Sequence, residues 1–428
     1  MDKLVGLYVG AEEVANDPTY LDVLKDEMGL NLIILFGAYD LSPETRAKNP
    51  ATLGGTQTHA MNLTDDDSAM RGAIEAAHRR GIDVWFCVSC WWSGVELPPE
   101  VAMQDFNGRP INEAPPIPYS HEGRTHTYCP NHPSVDNWFS SAYTELIRSY
   151  EIDGMDLTHA RYYHPAYYPG LFGCGCDYCA QTAQALGYDL SRMRAAILRA
   201  LDRLNRTDAT EIMRLSELGL SFVGMLQHLA EDRAAADWFD FRCDNLCGRI
   251  RTFKRIVENA AGREIVFGSD TFVPSFASLV GHRYSEFATC SSYTSPLLPH
   301  FEIHILMNLV SLASMLCQKV GNLTESEALR AVRRLVGYDG FDLPDTFEGF
   351  GIGAPDCETR HASLYNIIET ELRKARLYNR GEVPSYPVIK GELWPTEVVR
   401  GLIDAAERMG HEGIIFQGTS SLVEYPKA

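Results

Sequence analysis

Short runs of apolar residues recur along the chain, and most are followed by a stretch in which apolar residues return every three or four positions. The runs are continuous rather than alternating, which is typical of parallel strands covered on both faces. The stretch between two runs at 65–80 begins with an Asp-rich turn and stops at Gly81, as a capped helix does. The eight apolar runs are Leu4–Val9, Asn31–Gly37, Asp83–Cys90, Gly154–Ala160, Glu264–Asp270, Phe287–Tyr293, Tyr386–Glu392 and Gly413–Gly418.

Eight strand–helix units predict an α/β fold of the (β/α)8 TIM-barrel type rather than a doubly wound sheet. We expect residues 1–428 to form a single barrel domain. The segment 171–262 is too long for a simple connection, so we predict a helical insertion with a cysteine-rich loop after strand four. The Pro-rich, polar segment 91–128 predicts a long functional loop after strand three. Other helices are expected at Ser134–Tyr150, Glu302–Gln318, Glu358–Asn379 and Thr396–Met409, and within the insertion at Leu190–Leu204, Asp208–Leu229 and Ala234–Ala260.

Composition and charge restrict the partners. The formal net charge of -19 repels nucleic acid, and a small neutral or cationic ligand is easier to accommodate. No apolar run approaches the roughly 20 residues of a membrane helix, so no membrane partner is expected. The chain begins directly with a strand pattern, which favours a cytoplasmic protein. The last predicted strand lies near the C-terminus, so the eighth helix is absent or replaced; a second copy could cover that side, which leaves a homo-oligomer open.

Three cysteines lie within six residues in the sequence "CGCDYC", at Cys174, Cys176 and Cys179. Closely spaced thiolates bind Zn²⁺ tetrahedrally, and four of them leave no open position for water, so we predict a structural zinc site. Cys129, just before a predicted helix, is the first choice for the fourth ligand. Unligated thiols or a disulfide are the alternatives, and no organic cofactor is expected. The other residues considered for the fourth ligand are His132, Cys243 and Cys247.

Acidic side chains end three of the predicted strands, where the active site of a barrel lies. They are Asp156 in strand four, Asp270 in strand five and Glu392 in strand seven. Cleavage of a glycosidic bond requires two carboxyl groups with different pKa values, so we predict the catalytic groups among these three. Asp156 and Thr158 are two residues apart on a strand and should point the same way. A strand-end acid can instead cap the next helix, which is the structural alternative.

Aromatic and polar residues near the same strand ends are candidates for substrate binding. Indole rings stack on the apolar face of a sugar, and arginine and histidine bind polar groups, although any of these residues could serve packing instead. The predicted substrate-binding residues are Glu12, Trp91, Trp92, His159, Arg161, Tyr162, Tyr293 and Trp394.

Several motifs in this order resemble the glycoside-hydrolase-like TIM-barrel proteins of bacteria. They are "YCPNHPSVDNWF", "DGMDLTHARYYHP", "CGCDYC", "VFGSDTF" with "SSYTSPLLPHF", and "RMGHEGIIFQG". The resemblance implies a glycosidase-type barrel over nearly the whole chain. It matches Asp153 and Gly154 to the entry of strand four, Arg161 and Tyr162 to its exit, and Asp270 to the strand-five acid. The chain departs from the family at Thr158, where the strand-four acid is usual; here the acid is Asp156.

Three functional hypotheses follow from the sequence. The first is a glycoside hydrolase that acts on a small oligosaccharide or glycoside, with Asp156 and either Glu392 or Asp270 as the catalytic carboxyl groups. The second is a lyase or isomerase of a sugar or sugar acid, with His159 as base and Arg161 binding a carboxylate. The third is a non-catalytic carbohydrate-binding barrel, which the presence of Thr158 motivates.

Overall fold

A computed structural model describes residues 3–51, 62–93, 95–113 and 127–423. Within these ranges eight parallel strands form one sheet that curls into a nearly closed barrel. Each strand pairs with the next except at β6 and β7, the two ends of the sheet, and β1 pairs with both β2 and β8. Bridges between Thr294 and Ser385 and between Leu297 and Val388 link β6 to β7. The strands are β1 Leu4–Gly10, β2 Leu32–Phe36, β3 Asp83–Ser89, β4 Gly154–Thr158, β5 Val266–Thr271, β6 Ser295–Pro296, β7 Val388–Lys390 and β8 Gly413–Gln417.

Helices cover the outside of the barrel, and five of them stand in the segment between β4 and β5. Most of the buried apolar side chains lie between these helices and the strands. None of the described helices has both the length and the apolar character that crossing a membrane requires. The α-helices are Ala11–Asn16, Thr19–Met28, Pro43–Arg46, Ser68–His78, Pro133–Ser149, Asp177–Ala185, Leu190–Leu204, Ala209–Glu217, Phe222–Ala230, Ala234–Ala261, Tyr284–Phe287, Met307–Lys319, Glu325–Val336, Leu364–Asn379 and Thr396–Arg408.

Short helices of other types and one small ladder complete the described chain. A parallel ladder of two-residue strands, Ala38–Tyr39 and Asn62–Leu63, stands apart from the barrel. A π-helix, Glu302–Leu306, runs directly into the helix that begins at Met307. The 3-10 helices are Ile111–Glu113, Pro165–Phe172, Ala277–Val280 and Glu348–Phe350.

The predicted barrel is confirmed, with one strand misplaced. The apolar run at 287–293 does not form β6; its first residue ends the short helix Tyr284–Phe287, the following residues form a turn and bends, and the strand begins at Ser295. Phe287 is buried against His282. The run is therefore apolar because its side chains pack in the core, and not because it forms a strand of the sheet. The single helix predicted at 208–229 is two helices, separated at Gly219, which has a left-handed φ of 70°. Parts of the predicted 91–128 loop lie outside the described residues, and the homo-oligomer stays a prediction.

The interior of the barrel is filled by a second, smaller apolar cluster. Trp85 of β3 and Tyr293 stack there with ring centroids 4.9 Å apart. Two glycines on the neighbouring strands make room for these rings. A Cβ on Gly154 would lie 2.4 Å from Trp85, and a Cβ on Gly268 would lie 2.5 Å from Tyr293. The lack of side chains at Gly154 of β4 and Gly268 of β5 therefore leaves room for two large rings in the centre of the barrel.

We expect Gly154→Ala to destabilise the protein, because its methyl group would overlap Trp85 and overpacking of a core costs about 1–3 kcal/mol. The measurement is the free energy of unfolding in urea. Gly248→Ala is the matched control, since nothing lies within 4 Å of the added methyl group and the helix 234–261 should gain about 0.5–1 kcal/mol. Equal stabilities of the two variants would contradict this account of the barrel centre.

Candidate active site

A cavity of about 630 Å³ opens at the carboxyl ends of the strands, where a barrel carries its active site. Its size is within the range of pockets for small ligands. The wall combines carboxyl groups, imidazoles, one guanidinium and several apolar side chains. The residues that line it are Tyr8, Phe36, Cys87, Trp92, Thr158, His159, Arg161, Asp270, Leu297, His300, Ile303, His304, Glu392, Gln417 and Gly418.

The floor of the cavity holds two carboxyl groups that share one tyrosine. The hydroxyl oxygen of Tyr8 lies 2.8 Å from Oδ2 of Asp156 and 3.1 Å from Oδ1 of Asp270. The two acids come from adjacent strands, and both face the barrel interior. Asp156 is completely buried, whereas Asp270 lines the cavity. Asp156 therefore points into the barrel, but its side chain lies below the surface that a ligand can touch.

Burial and mutual repulsion keep these carboxyl groups from ionising together. Burial, followed by the charge of Asp270, raises the pKa of Asp156 to about 8. Burial raises the pKa of Asp270 less, to about 6, because hydrogen bonds from Thr158 and Tyr8 and the charge of Arg161 oppose it. The pKa of Asp156 is the more strongly raised, which favours the deeper acid as the holder of a proton that the pair shares. Tyr293 also hydrogen-bonds Oδ1 of Asp156, so both oxygens of the buried acid have partners.

Glu392 faces the same cavity from the loop that follows β7. Its carboxyl group packs on the loop after β8, where a Cβ at Gly418 would lie 2.4 Å from the Cδ atom of Glu392. Gly418 also has a left-handed φ of 71°, so glycine is suited there for two reasons. Hydrogen bonds between Gly391 and Gln417 and between Ser421 and Gly391 tie the two loops together. These contacts fix the second carboxyl group that lines the cavity.

An aromatic pair forms part of the cavity rim. The rings of Trp92 and His159 stack with centroids 4.6 Å apart and planes 22° from parallel. His159 follows β4 directly and has a left-handed φ of 57°, which turns the chain away from the strand direction. Phe36, at the end of β2, also lines the cavity and remains 50% exposed. The rim therefore offers apolar ring surfaces beside the polar floor.

Two further histidines occupy the wall near Arg161. His300 and His304 lie one turn apart, with ring centroids separated by 5.1 Å. Phe272 lies beneath this wall: its ring centroid is 4.6 Å from that of His304 and 5.3 Å from the guanidinium carbon of Arg161. Basic side chains are thus concentrated on one part of the cavity wall.

Five residues predicted to bind substrate lie outside the cavity lining. Trp91 is buried against Phe253 of the insertion, because the chain turns at a φ of 61° and directs its ring away from the barrel mouth. Tyr162 is buried and accepts a hydrogen bond from Asn245.

The other three residues lie at different places around the cavity. Trp394 is buried and donates its indole hydrogen to Glu358, which fixes the loop after β7. Glu12 is exposed on the first helix. Tyr293 lies just beneath the floor, where it contacts Asp156 rather than the cavity.

Sequence reasoning missed several residues of the site. Tyr8 could have been found, since it shares the parity of the inward-facing Gly6 on a strand that ends at the barrel mouth. Phe36 ends the second apolar run in the same manner. His300 and His304 gave no such signal, because they follow β6, the strand whose position was predicted wrongly.

The four cysteines predicted as metal ligands converge between two loops on this face of the barrel. The sulfur atoms of Cys129, Cys174, Cys176 and Cys179 all lie within 4.8 Å of one another. Cys129 is 3.5 Å from Cys176 and 3.6 Å from Cys179, close to the roughly 3.8 Å between sulfurs in a tetrahedral site with metal–sulfur bonds of about 2.3 Å. The cluster could therefore hold a metal ion.

The residues considered as alternatives for the fourth ligand are not part of this cluster. His132 caps the helix Pro133–Ser149, accepting a hydrogen bond from the backbone of Ser134. Cys243 and Cys247 face Ser278 and Thr289 on the other side of the insertion.

The surroundings of the cluster suit negatively charged sulfur. The amide of Asn131 donates to Cys179 at 3.2 Å, and the backbone N–H of Gln104 donates to Cys174 at 3.4 Å. The guanidinium of Arg242 is completely buried nearby, close enough for Cys174 and Cys179 to act on its charge. Among the described residues, its Nε and Nη2 atoms have no hydrogen-bond partner. A buried cation with unmet hydrogen-bonding capacity fits a neighbour that carries a net negative charge, as four thiolates around a divalent ion do.

Comparisons with known proteins agree with the barrel. The chain is similar to the glycoside hydrolase domain of PgaB (BpsB) from Bordetella bronchiseptica, with a TM-score of 0.53 and 11% identity over 98% of this chain and 94% of that one. It is also similar to the catalytic domain of a β-amylase from Paenibacillus polymyxa, with a TM-score of 0.50 and 10% identity over 99% and 94%. No family model matches the chain. No curated protein matches it either. At these identities the likeness shows the fold alone, a barrel of the type found in these two domains.

The raised pKa of Asp156 predicts a pH-dependent contribution to stability. A carboxyl group whose folded pKa lies above its usual 3.8 stabilises the fold at low pH, and this contribution is lost as pH rises toward about 8. We expect the unfolding free energy of the wild type to fall by a few kcal/mol relative to Asp156→Asn between about pH 5 and about pH 8. Urea unfolding at several pH values measures the difference.

Asp202→Asn is the control, since it removes an exposed carboxylate that pairs with Arg206 on a helix surface. Its unfolding free energy should stay parallel to that of the wild type over the same range. If Asp156→Asn also runs parallel, the buried carboxyl group is not held in its protonated form.

Proposed function

We propose that the protein hydrolyses the glycosidic bond of a small oligosaccharide or glycoside. The observation that carries the proposal is the cavity at the mouth of the barrel, which is lined by two carboxyl groups, Asp270 and Glu392, the first of them bridged by Tyr8 to the buried Asp156. A glycosidase requires one group that donates a proton to the leaving oxygen and one carboxylate that acts as base or nucleophile. The barrel fold is consistent with this chemistry but does not itself assign it.

Asp270 and Glu392 are proposed as the two carboxyl groups that touch the substrate, because both line the cavity. Asp156 is proposed to act on Asp270 from below rather than on the sugar. When protonated, Asp156 can donate to the oxygen of Tyr8 while Tyr8 donates to Asp270. In this chain the protonated Asp156 holds Tyr8 as a donor to Asp270 and places no second negative charge beside it.

The rim rings are proposed to hold the sugar. Trp92, stacked on His159, and the exposed ring of Phe36 offer apolar faces against which a pyranose can pack. Gln417 lines the same cavity and supplies both a donor and an acceptor for hydroxyl groups. Of the tryptophans proposed from the sequence, Trp92 is the one retained in this role.

We expect Asp270→Asn and Glu392→Gln to lower kcat by about 10²–10⁴-fold on whichever glycoside the wild type cleaves, since each removes a group that exchanges protons or charge with the substrate. The measurement is product release from a panel of aryl glycosides and oligosaccharides. Asp156→Asn should reduce kcat less and shift its pH dependence, because its effect passes through Tyr8 and Asp270.

Glu12→Gln is the matched control, a carboxylate near the barrel mouth that lies outside the cavity, and it should leave activity unchanged. A wild type that binds sugars without cleaving any member of the panel would contradict hydrolysis and favour a carbohydrate-binding barrel. Full activity in both Asp270→Asn and Glu392→Gln would remove these residues from the mechanism.

We further propose that Cys129, Cys174, Cys176 and Cys179 bind a structural Zn²⁺ ion. Four thiolate ligands suit zinc, and a closed set of four leaves no position for a reacting water molecule. All eleven cysteines are free thiols, which supports a reducing location such as the cytoplasm. The ion would join the loop before the helix Pro133–Ser149 to the loop that follows β4.

We expect about one equivalent of zinc to remain on the purified protein after dialysis and to be lost in Cys174→Ser/Cys176→Ser, with lower thermal stability. Elemental analysis and calorimetry provide the two measurements. Cys317→Ser, a half-buried thiol on another helix, is the control and should retain the metal. A metal-free wild type that is as stable as the metal-loaded form would reject the site, and another metal in stoichiometric amount would correct its identity.

A further inference from the structure

We propose that the sugar substrate is acidic and that its anionic group binds between Arg161, His300 and His304. This inference deepens the proposed function and rests on it for the position of the sugar. The cavity divides into an acidic part, with Asp270 and Glu392, and a basic part. A neutral sugar needs hydrogen-bonding partners of both kinds, whereas a grouping of basic side chains on one wall suits an oxyanion.

The basic side chains converge on a shared apolar base. Phe272 has the guanidinium carbon of Arg161 at 5.3 Å and the ring centroid of His304 at 4.6 Å. His300 lies next to His304, with 5.1 Å between their ring centroids. All three side chains line the cavity, so one group of carboxylate or phosphate size could approach them together.

His304 has an unmet hydrogen-bonding requirement. The side chain is 4% exposed, and within the described residues its Nδ1 atom has no hydrogen-bond partner. A buried N–H without an acceptor is rarer in proteins than a buried acceptor without a donor. A proton on Nδ1 would therefore need an acceptor that the described residues do not supply, and an oxyanion bound beside the ring is one.

The local electrostatics support an anion in this place. Burial, and then the nearby His300 and Arg161, lower the pKa of His304 well below its ordinary value. An oxyanion would offset that positive potential and hydrogen-bond the imidazole, which favours the bound complex. The two nitrogens of a guanidinium also match the two oxygens of a carboxylate. The basic wall is a local exception in a chain with a net charge of -19, so it gives selectivity that the overall charge does not.

The other charged groups around the wall limit which orientation is allowed. Arg161 also acts on Asp270, whose pKa it helps to lower. His164 lies behind His304, with 5.6 Å between ring centroids, and its Nδ1 hydrogen-bonds Asn308. The anion must therefore lie on the side of Arg161 away from Asp270, with the scissile bond of the same sugar toward the acids.

The test compares binding of D-glucuronate, D-galacturonate, glucose 6-phosphate and glucose to the full chain by calorimetry or saturation-transfer NMR. We expect an acidic sugar to bind at least about tenfold more tightly than glucose, as one hydrogen-bonded charge contact would give. Arg161→Gln should remove this preference, Arg161→Lys should retain part of it, and His304→Gln should weaken it. Preference for the uronates over the phosphate would identify the anionic group as a carboxylate, and the reverse order as a phosphate.

Arg376→Gln is the matched control, since it makes the same change in net charge at a surface ion pair with Glu412. It should leave the preference intact. Equal or tighter binding of glucose, no binding of any acidic sugar, or an unchanged preference in Arg161→Gln would overturn the inference.

Cleavage assays with aryl uronides and neutral aryl glycosides separate this inference from the proposed function. Acidic sugars that bind as expected while no glycoside is cleaved would refute hydrolysis and leave the anion site standing. Cleavage of neutral glycosides alone, with no binding of acidic sugars, would leave hydrolysis standing and refute the anion site.

Discussion

Two carboxyl groups on neighbouring strands share one tyrosine at the floor of the cavity, and the design of the active-site face depends on that constraint. Like charges held so close cannot both be ionised, so the group with fewer favourable contacts retains its proton. Tyr8 connects the two acids, and Tyr293 holds the far oxygen of Asp156. The ring of Tyr293 in turn stacks on Trp85, and Trp85 has room because β4 carries glycine at position 154. The different pKa values of the two acids at the cavity floor thus depend on the lack of a side chain at Gly154, which leaves room for Trp85 lower in the barrel.

Much of the fold could be predicted because the strands are apolar on both faces and the helices are not. The runs at β1, β2, β3 and β8 lie within two residues of their observed bounds. The failure at β6 has a physical cause: a strand of two residues, one of them proline, has too little sequence to show a pattern. The apolar run chosen in its place is buried by a helical turn, and burial alone does not distinguish a strand from a turn that packs.

The site was predictable where one strand sets the direction of a side chain and unpredictable where two elements must meet. The inward direction of Asp156 follows from strand parity, and the convergence of Cys129 on the other cysteines was a reasonable guess from its position. Which of two adjacent tryptophans would face the cavity depended on a left-handed residue at Trp91, which no pattern indicates. The depth of Asp156 below the cavity was equally invisible, because it depends on Tyr8 lying above it.

The cysteine cluster joins loops that leave adjacent strands, and neither loop belongs to the barrel wall. Cys129 precedes the helix after β3, while Cys174, Cys176 and Cys179 follow β4, whose next residue is His159 of the cavity rim. A metal ion held there would stabilise the relative positions of these two loops rather than the barrel core. Removal of the metal by a chelator would then leave the helix content unchanged while the two loops lose the positions that ligand binding requires. Circular dichroism would therefore not show whether a preparation can bind its ligand.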